Sequence, residues 1–382
     1  MNDNVYKLFE ILFNVREYEW IYYEIVLLSI ISKEMRNLVM DSSLKINFIM
    51  MYQRNNERFQ QIFNSLKRNN LFRNVISVHL FNNDGIGVIQ TITDEELNLQ
   101  NIVSVDIGNN LLGGNNNLAK RLSLCPLTTL EVNNNNFNSE FFKHLFTNTK
   151  KNFSNLVFLN ISANKIEVEG AKIIASQLPD LQNLKKFNIS NCNIGKEGAK
   201  IIASYIEQCT KITNLNLSFN DIGTEVAISF LEKCTGLVSL NLRENCISDK
   251  EDKEFASKLN CLTRLKKLNL ADNCILKPSK FSEALKNLKL LNLSGTDFND
   301  LALQENTTLL DLNLSGNDIE RDAAEHIIFS LNCTNLFSLD ISENQIDDGV
   351  EGIVDYCQKK FRALKYLDTD DNMSWNKRYG FN

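Results

Sequence analysis

Residues 155–222 read NLVFLNISANKI, EVEGAKIIASQLPDLQ, NLKKFNISNCNI, GKEGAKIIASYIEQCT and KITNLNLSFNDI in succession. The octet EGAKIIAS occurs at 169–176 and again at 197–204, an offset of 197 − 169 = 28 residues. Identity at that separation marks stacked copies of one supersecondary unit. Each copy opens on an apolar alternation, such as Leu156-x-x-Leu159-x-Ile161. It closes on a stripe with helical spacing, such as Ala171, Ile174, Ala175 and Leu178. The first pattern predicts a strand and the second a helix.

The opening segment, Leu-x-x-Leu-x-Leu-x-x-Asn-x-Ile with conservative swaps, resembles the leucine-rich repeat. A 28-residue period with a helix-length second half is similar to the ribonuclease-inhibitor-like subclass. Working outward, twelve units begin at Val75, Ile102, Leu127, Leu156, Leu184, Ile212, Leu237, Leu265, Leu288, Leu309, Leu336 and Leu364. The expected fold is therefore α/β: a leucine-rich repeat solenoid over 75–382, preceded by a small all-α module. Strands stack about 4.8 Å apart and helices about 8–10 Å apart. The sheet must then lie on the concave side and the helices on the convex side.

One asparagine follows each strand: Asn110, Asn135, Asn164, Asn220, Asn245, Asn273, Asn317, Asn344 and Asn372. Its amide is expected to turn into the bend and satisfy buried backbone groups there. Cys192 and Thr296 interrupt the row. Two spacings shrink, 288 − 265 = 23 and 309 − 288 = 21. The linker 299–308 is thus too short for a full helix. Residues 108–117, GNNLLGGNNN, are expected to form a loop, and Thr369, Trp375 and Tyr379 a terminal cap.

Ahead of the repeats, Val5, Leu8, Phe9, Ile11 and Leu12 fall on a helical stripe, and further helices are expected from 17 to 31 and from 32 to 40. Residues 20–48, with Leu27-Leu28-Ser29-Ile30-Ile31-Ser32-Lys33-Glu34-Met35-Arg36-Asn37-Leu38 at their centre, resemble an F-box. The Leu-Pro that usually opens that family is absent, and Met35 stands where tryptophan is common. The resemblance implies that 4–48 docks on the adaptor subunit of a cullin–RING ubiquitin ligase through Leu8, Leu12, Leu27, Leu28, Ile31 and Leu38. The alternative is a helical cap, which solenoids need for solubility. Residues 49–74 carry Phe59, Ile62, Phe63 and Leu66 at helical spacing and read as a linker helix over the first strand's edge. The expected division is 1–48, 49–74 and 75–382.

The formal net charge of −6 gives no polyanion-binding signature, so nucleic acid is not an expected partner. The apolar run from Trp20 to Ile31 contains Glu24 and is too short to span a bilayer. No basic secretion signal opens the sequence, and a cytoplasmic or nuclear protein is expected. Nine cysteines are dispersed along the chain. Cys209, Cys234 and Cys333 read as packing residues. Cys246 and Cys274, 28 apart, should be stacked neighbours and read as free thiols, with no metal site or cofactor. His79, His144 and His326 lack a nucleophile and carboxylate at recognisable spacing, so no enzyme is expected.

What remains is a recognition surface. Positions flanking the second and third leucines should face the concavity. Among them Phe158, Lys186, Asn188, Asn216, Asn241, Arg243, Lys267, Asp311, Asp340, Tyr366, Asp368 and Asp370, with Phe219 one step past its strand, are the candidates for binding a partner protein. Cations lie centrally and carboxylates at the C-terminal end. The expected role is a protein-interaction scaffold, monomeric outside its complex, that recruits a substrate for ubiquitin transfer by other subunits. The period is also similar to Ran GTPase-activating proteins, although the sequence closes on NKRYGFN rather than an acidic tail. A repeat module with a purely structural cap is the third reading.

Overall fold

The computed structural model describes residues 46–49, 75–80, 86–248, 252–274, 282–297 and 303–372. Thirteen strands form one parallel sheet in chain order. They are β1 Ile46–Ile49, β2 Val75–His79, β3 Ser104–Asp106, β4 Thr129–Glu131, β5 Phe158–Asn160, β6 Lys186–Asn188, β7 Asn214–Asn216, β8 Ser239–Asn241, β9 Lys267–Asn269, β10 Leu290–Asn292, β11 Asp311–Asn313, β12 Ser338–Asp340 and β13 Tyr366–Asp368. Twelve of them stand where the repeats place them. β1 is additional: it straddles the boundary expected at 48 and pairs in parallel with β2, Asn47 opposite Ser77. A strand therefore lies on the edge of β2. The linker helix expected there falls in 50–74, outside the described residues, as do all six candidate docking residues from Leu8 to Leu38.

Helices alternate with the strands: α1 Ile86–Thr93, α2 Asn116–Leu122, α3 Ser139–Leu145, α4 Thr149–Asn152, α5 Glu167–Gln177, α6 Gly195–Tyr205, α7 Thr224–Lys233, α8 Asp252–Asn260, α9 Ser282–Leu285, α10 Arg321–Ser330 and α11 Val350–Lys360. The loop expected over 108–117 ends two residues early, because Asn115 accepts the Leu118 N–H at 3.0 Å and caps α2. In the short units the helix dwindles to the four residues of α9 and is then absent from the described part, 303–310, of the next connection. Asn306 takes over there. Buried, it donates to Leu285 O and Leu288 O at 2.5 and 3.1 Å and accepts from the Thr308 and Leu309 N–H groups at 2.7 and 2.8 Å.

Register makes the apolar core continuous. Val105, Leu130, Leu159, Phe187, Leu215, Leu240, Leu268, Leu291, Leu312 and Leu339 are each at most 2 % exposed and stand opposite one another from strand to strand. The paired octets are explained by helix packing: a Cβ on Gly198 would stand 3.0 Å from the Ala171 Cβ, so α5 and α6 approach closely because glycine sits there. Under β4 and β5 the core is aromatic. Phe137 stacks on Phe141 with centroids 3.5 Å apart, and Phe142, Phe146 and Phe153 continue the cluster edge to face or offset.

The asparagine row closes each bend. Asn164 donates to Val132 O, Ile161 O and Ser162 O at 2.9–3.1 Å. Its Oδ1 accepts the Asn135 and Phe137 N–H groups at 3.1 and 2.9 Å. One side chain thus satisfies backbone in its own unit and in the unit before it. Asn135, Asn220, Asn273, Asn317 and Asn344 repeat the pattern. The residue preceding the asparagine takes the left-handed conformation in every unit from Asn109 to Asp371, with φ between 49° and 63°.

Cys192 fills an asparagine slot poorly. Its buried thiol reaches Ile161 O and Ser190 O at 3.4 and 3.2 Å, as a weak single donor. Burial pushes that thiol up to about 12, so it stays protonated. Cys192→Asn restores two amide donors and a carbonyl acceptor to a slot shaped for them. The expected outcome is a gain of about 1–2 kcal/mol, read as a higher urea midpoint with unchanged m. The thiols of Cys125, Cys209, Cys234, Cys333 and Cys357 are buried as packing residues, whereas Cys246, Cys261 and Cys274 are exposed.

Candidate functional site

Each strand from β3 to β12 offers two side chains to the concave face, one on either side of its buried central residue, and β13 does so around the half-buried Leu367. The row nearer the C-terminal ends of the strands contains Asn160, Asn188, Asn216, Asn241, Asn269, Asn292 and Asn313, followed by Asp340 and Asp368. Each of these accepts the N–H two residues on; Asn188 takes Ser190 N at 3.1 Å, Asn216 takes Ser218 N at 3.1 Å and Asn241 takes Arg243 N at 3.0 Å. Asn and Asp serve equally because only a carbonyl-type oxygen is used. Asn188, Asn216 and Asn241 therefore terminate strands, and the Asn188 amide donor is itself directed at Ser162 Oγ, 3.3 Å away. The strand-starting row and the bend residues carry the distinctive groups.

Three clusters stand out along the arc. Near the N-terminal end, His79 Nε2 lies 3.2 Å from Ser104 Oγ, and burial lowers the imidazole's affinity for a proton against the pull of Asp106. Burial likewise raises the Glu131 carboxyl, although Asn160 donates to it at 3.3 Å. At the centre, Lys186 Nζ stands 5.8 Å from the Phe158 ring centroid. Arg243 covers the Phe219 ring at 5.2 Å and pairs with Asp272 at 2.5 Å. Phe219 is one of the left-handed bend residues, with φ of 58°. A bulky ring in that backbone region costs about 1–2 kcal/mol, yet 38 % of it is exposed. Lys267, one strand beyond Ser239 of β8, is exposed.

The third cluster spans β11 to β13. Asp311, Asp340, Asp368 and Asp370 share this end, with Asp340 in register with Asp368. Burial, then the nearby Asp340 charge, raises the Asp311 carboxyl, while Ser338 opposes both by hydrogen bonding. Beside them Tyr366 packs edge to face on Phe337, centroids 5.3 Å apart, with Lys365 Nζ 5.3 Å from the Tyr366 centroid. Tyr366 was legible as a concave residue; Phe337, Leu310 and Asp272 were not. The first two sit just before their strands, where the repeat sets no residue type, and Asp272 is a bend residue. For Leu310 and Phe337 the one signal is size at a position where other units carry valine, lysine or threonine, such as Val157, Lys185 and Thr213.

Among the described residues no group of three or more His, Cys, Asp or Glu side chains could hold a metal ion. Among them, too, no helix is long and apolar enough to cross a membrane. His144 sits on α3, 3.3 Å from Glu140, away from the concave row. The face thus presents separate aromatic, cationic and acidic groups on a regular lattice, a geometry for contacting an extended surface.

Comparison with known proteins agrees with this architecture. A family model described as Leucine Rich repeat matches residues 180–203, 208–231, 305–327 and 332–353. No curated protein matches the sequence significantly. The chain is similar to an internalin (inlF) from Listeria monocytogenes, with 18 % identity and a TM-score of 0.52 over 79 % of this chain and 83 % of that one. It is also similar to a chain in the crystal structure of the yeast Rad7 and Elc1 complex, with 14 % identity and a TM-score of 0.62 over 94 % and 95 %. Fold and matches together give a leucine-rich-repeat-like solenoid with one open sheet face.

Proposed function

We propose that this chain is a substrate-recruiting subunit of a cullin–RING ubiquitin ligase, holding a protein on its concave face while residues 4–48 engage the ligase adaptor. The observation that carries the recruiting half is the sheet face itself: side chains from β3 to β13 stand in strict register with exposed aromatics and charges. Aromatic and arginine anchors of that kind are what protein interfaces use for most of their binding energy. Phe219 with Arg243, and Tyr366 with Phe337, are the anchors expected to matter most.

The ligase half draws on the resemblance of 20–48 to an F-box. A structural neighbour solved as part of the yeast Rad7 and Elc1 complex supports the general arrangement of such a fold within a protein complex. The test uses the full chain, because removing 1–74 would strip β1 from β2 and expose a sheet edge. Purified adaptor subunit should be retained by the intact protein and lost from Leu27→Glu/Leu28→Glu. Failure of the intact protein to retain it removes the ligase assignment and leaves the scaffold.

A further inference from the structure

The patch at β11 to β13 differs from the central strands β6 to β9 in two independent ways. It carries large apolar side chains in water: Leu310, Phe337 and Tyr366 are 37 %, 43 % and 55 % exposed. Leu310 and Phe337 stand one residue before β11 and β12, and Tyr366 opens β13, with backbones bonded in sequence, Phe337 N to Leu310 O at 2.8 Å and Tyr366 N to Phe337 O at 3.2 Å. Phe337 and Tyr366 pack edge to face, Leu310 lies one backbone step from Phe337, and Lys365 Nζ borders the rings at 5.9 and 5.3 Å from their centroids. Exposed contiguous apolar surface of this kind marks a contact site more often than scattered single residues do.

The second difference is charge. Among the described residues none of Asp311, Asp340 and Asp368 makes an ion pair, in contrast to Asp272 with Arg243 at the centre. Asp340 does accept hydrogen bonds, from Asn313 Nδ2 at 2.8 Å and Ser342 Oγ at 2.7 Å, which hold its carboxylate in place. Asp311 feels the Asp340 charge and is partly desolvated. Carboxylates fixed near one another, beside an apolar strip, are relieved by a cation brought in from outside.

We propose that β11 to β13 form the docking site for a protein segment that presents lysine or arginine next to an apolar side chain. The apolar residue packs on the Phe337–Tyr366 pair and Leu310, and the cation sits over Asp340 and Asp368. This deepens the recruiting half of the proposed function and rests on it, while being independent of the ligase half. A nucleic acid or an acidic peptide is repelled by the same carboxylates.

The test selects binders without presupposing their sequence. A random peptide library displayed on phage is panned against the immobilised full chain, and enriched peptides are synthesised for fluorescence anisotropy. Two variants report on the two features. Phe337→Ser/Tyr366→Ser removes the exposed rings. Asp340→Asn/Asp368→Asn removes charge but keeps the oxygen that accepts the following N–H, as asparagine does in the equivalent position of seven other strands. Both should melt as the parent does. Enriched peptides are expected to carry lysine or arginine beside an aromatic or aliphatic residue, to bind each variant about tenfold or more weakly, and to weaken with added salt. Enrichment of acidic or uncharged sequences, equal affinity for the variants, or no enrichment overturns the assignment. Because no adaptor is present, peptide binding that survives alongside failed adaptor capture removes only the ligase half, and the converse removes only this site.

Discussion

Asn164→Ala is expected to lower the stability of the solenoid by about 3–5 kcal/mol, several times the cost of an ordinary buried hydrogen bond. The reason is the number of backbone groups that depend on this side chain. Three carbonyls lose their donor and two N–H groups lose their acceptor, in the two bends that follow β4 and β5 and all away from bulk water. Each buried group left alone costs about 1–3 kcal/mol, and water entering the vacated space recovers part of the total. Asn188→Ala supplies the contrast. That asparagine is only half-buried, and it accepts one N–H, from Ser190, and donates weakly to Ser162 Oγ at 3.3 Å. Its removal should cost about 0.5–1.5 kcal/mol. Urea unfolding of the pair, read by circular dichroism, checks the difference; equal losses would mean that the buried row does not close the bends.

Phe141→Ala carries the other large effect, an expected loss of about 3–5 kcal/mol. The ring is fully buried, stacked on Phe137 and set edge to face against Phe142. Its removal leaves a cavity between α3 and the sheet that neighbouring phenylalanines cannot fill without leaving their own contacts. Because repeat stability is built from units and their nearest interfaces, the damage should stay local. Hydrogen exchange should quicken most in 129–161 and least beyond β9. Uniformly faster exchange along the chain would contradict that. Phe337→Ala, by contrast, removes a ring that is already 43 % exposed and should leave the urea midpoint nearly unchanged.

The repeats made most of the fold legible, because burial repeats with the strand and helix periods. The leucine spine, the asparagine row from Asn110 to Asn372 and the vanishing helix before β11 could all be read from spacing alone. β1 could not: Ile46-Asn47-Phe48-Ile49 is too short a run to distinguish a strand from part of a helix. Asn306 was hidden for a related reason, since a lone polar residue in a linker has no periodic signature. The candidate site was less legible than the fold. Concave positions face solvent, so packing places no demand on them, and from spacing alone Asn188, Asn216 and Asn241 read as partner-binding candidates. Hydrogen bonding shows instead that the row ends the strands, and that the distinctive chemistry sits just before and just after it, at Leu310, Phe337, Phe219 and Asp272.

The asparagine contacts also have a direction. In the full pattern each asparagine reaches back to the turn already made, its Oδ1 accepting the N–H of the preceding asparagine 25 to 29 residues earlier in the regular part of the chain. During synthesis, then, each newly extruded bend stays unsealed until the next asparagine clears the ribosome. The arch would set one step behind the growing terminus, with a single unsatisfied corner at its advancing end.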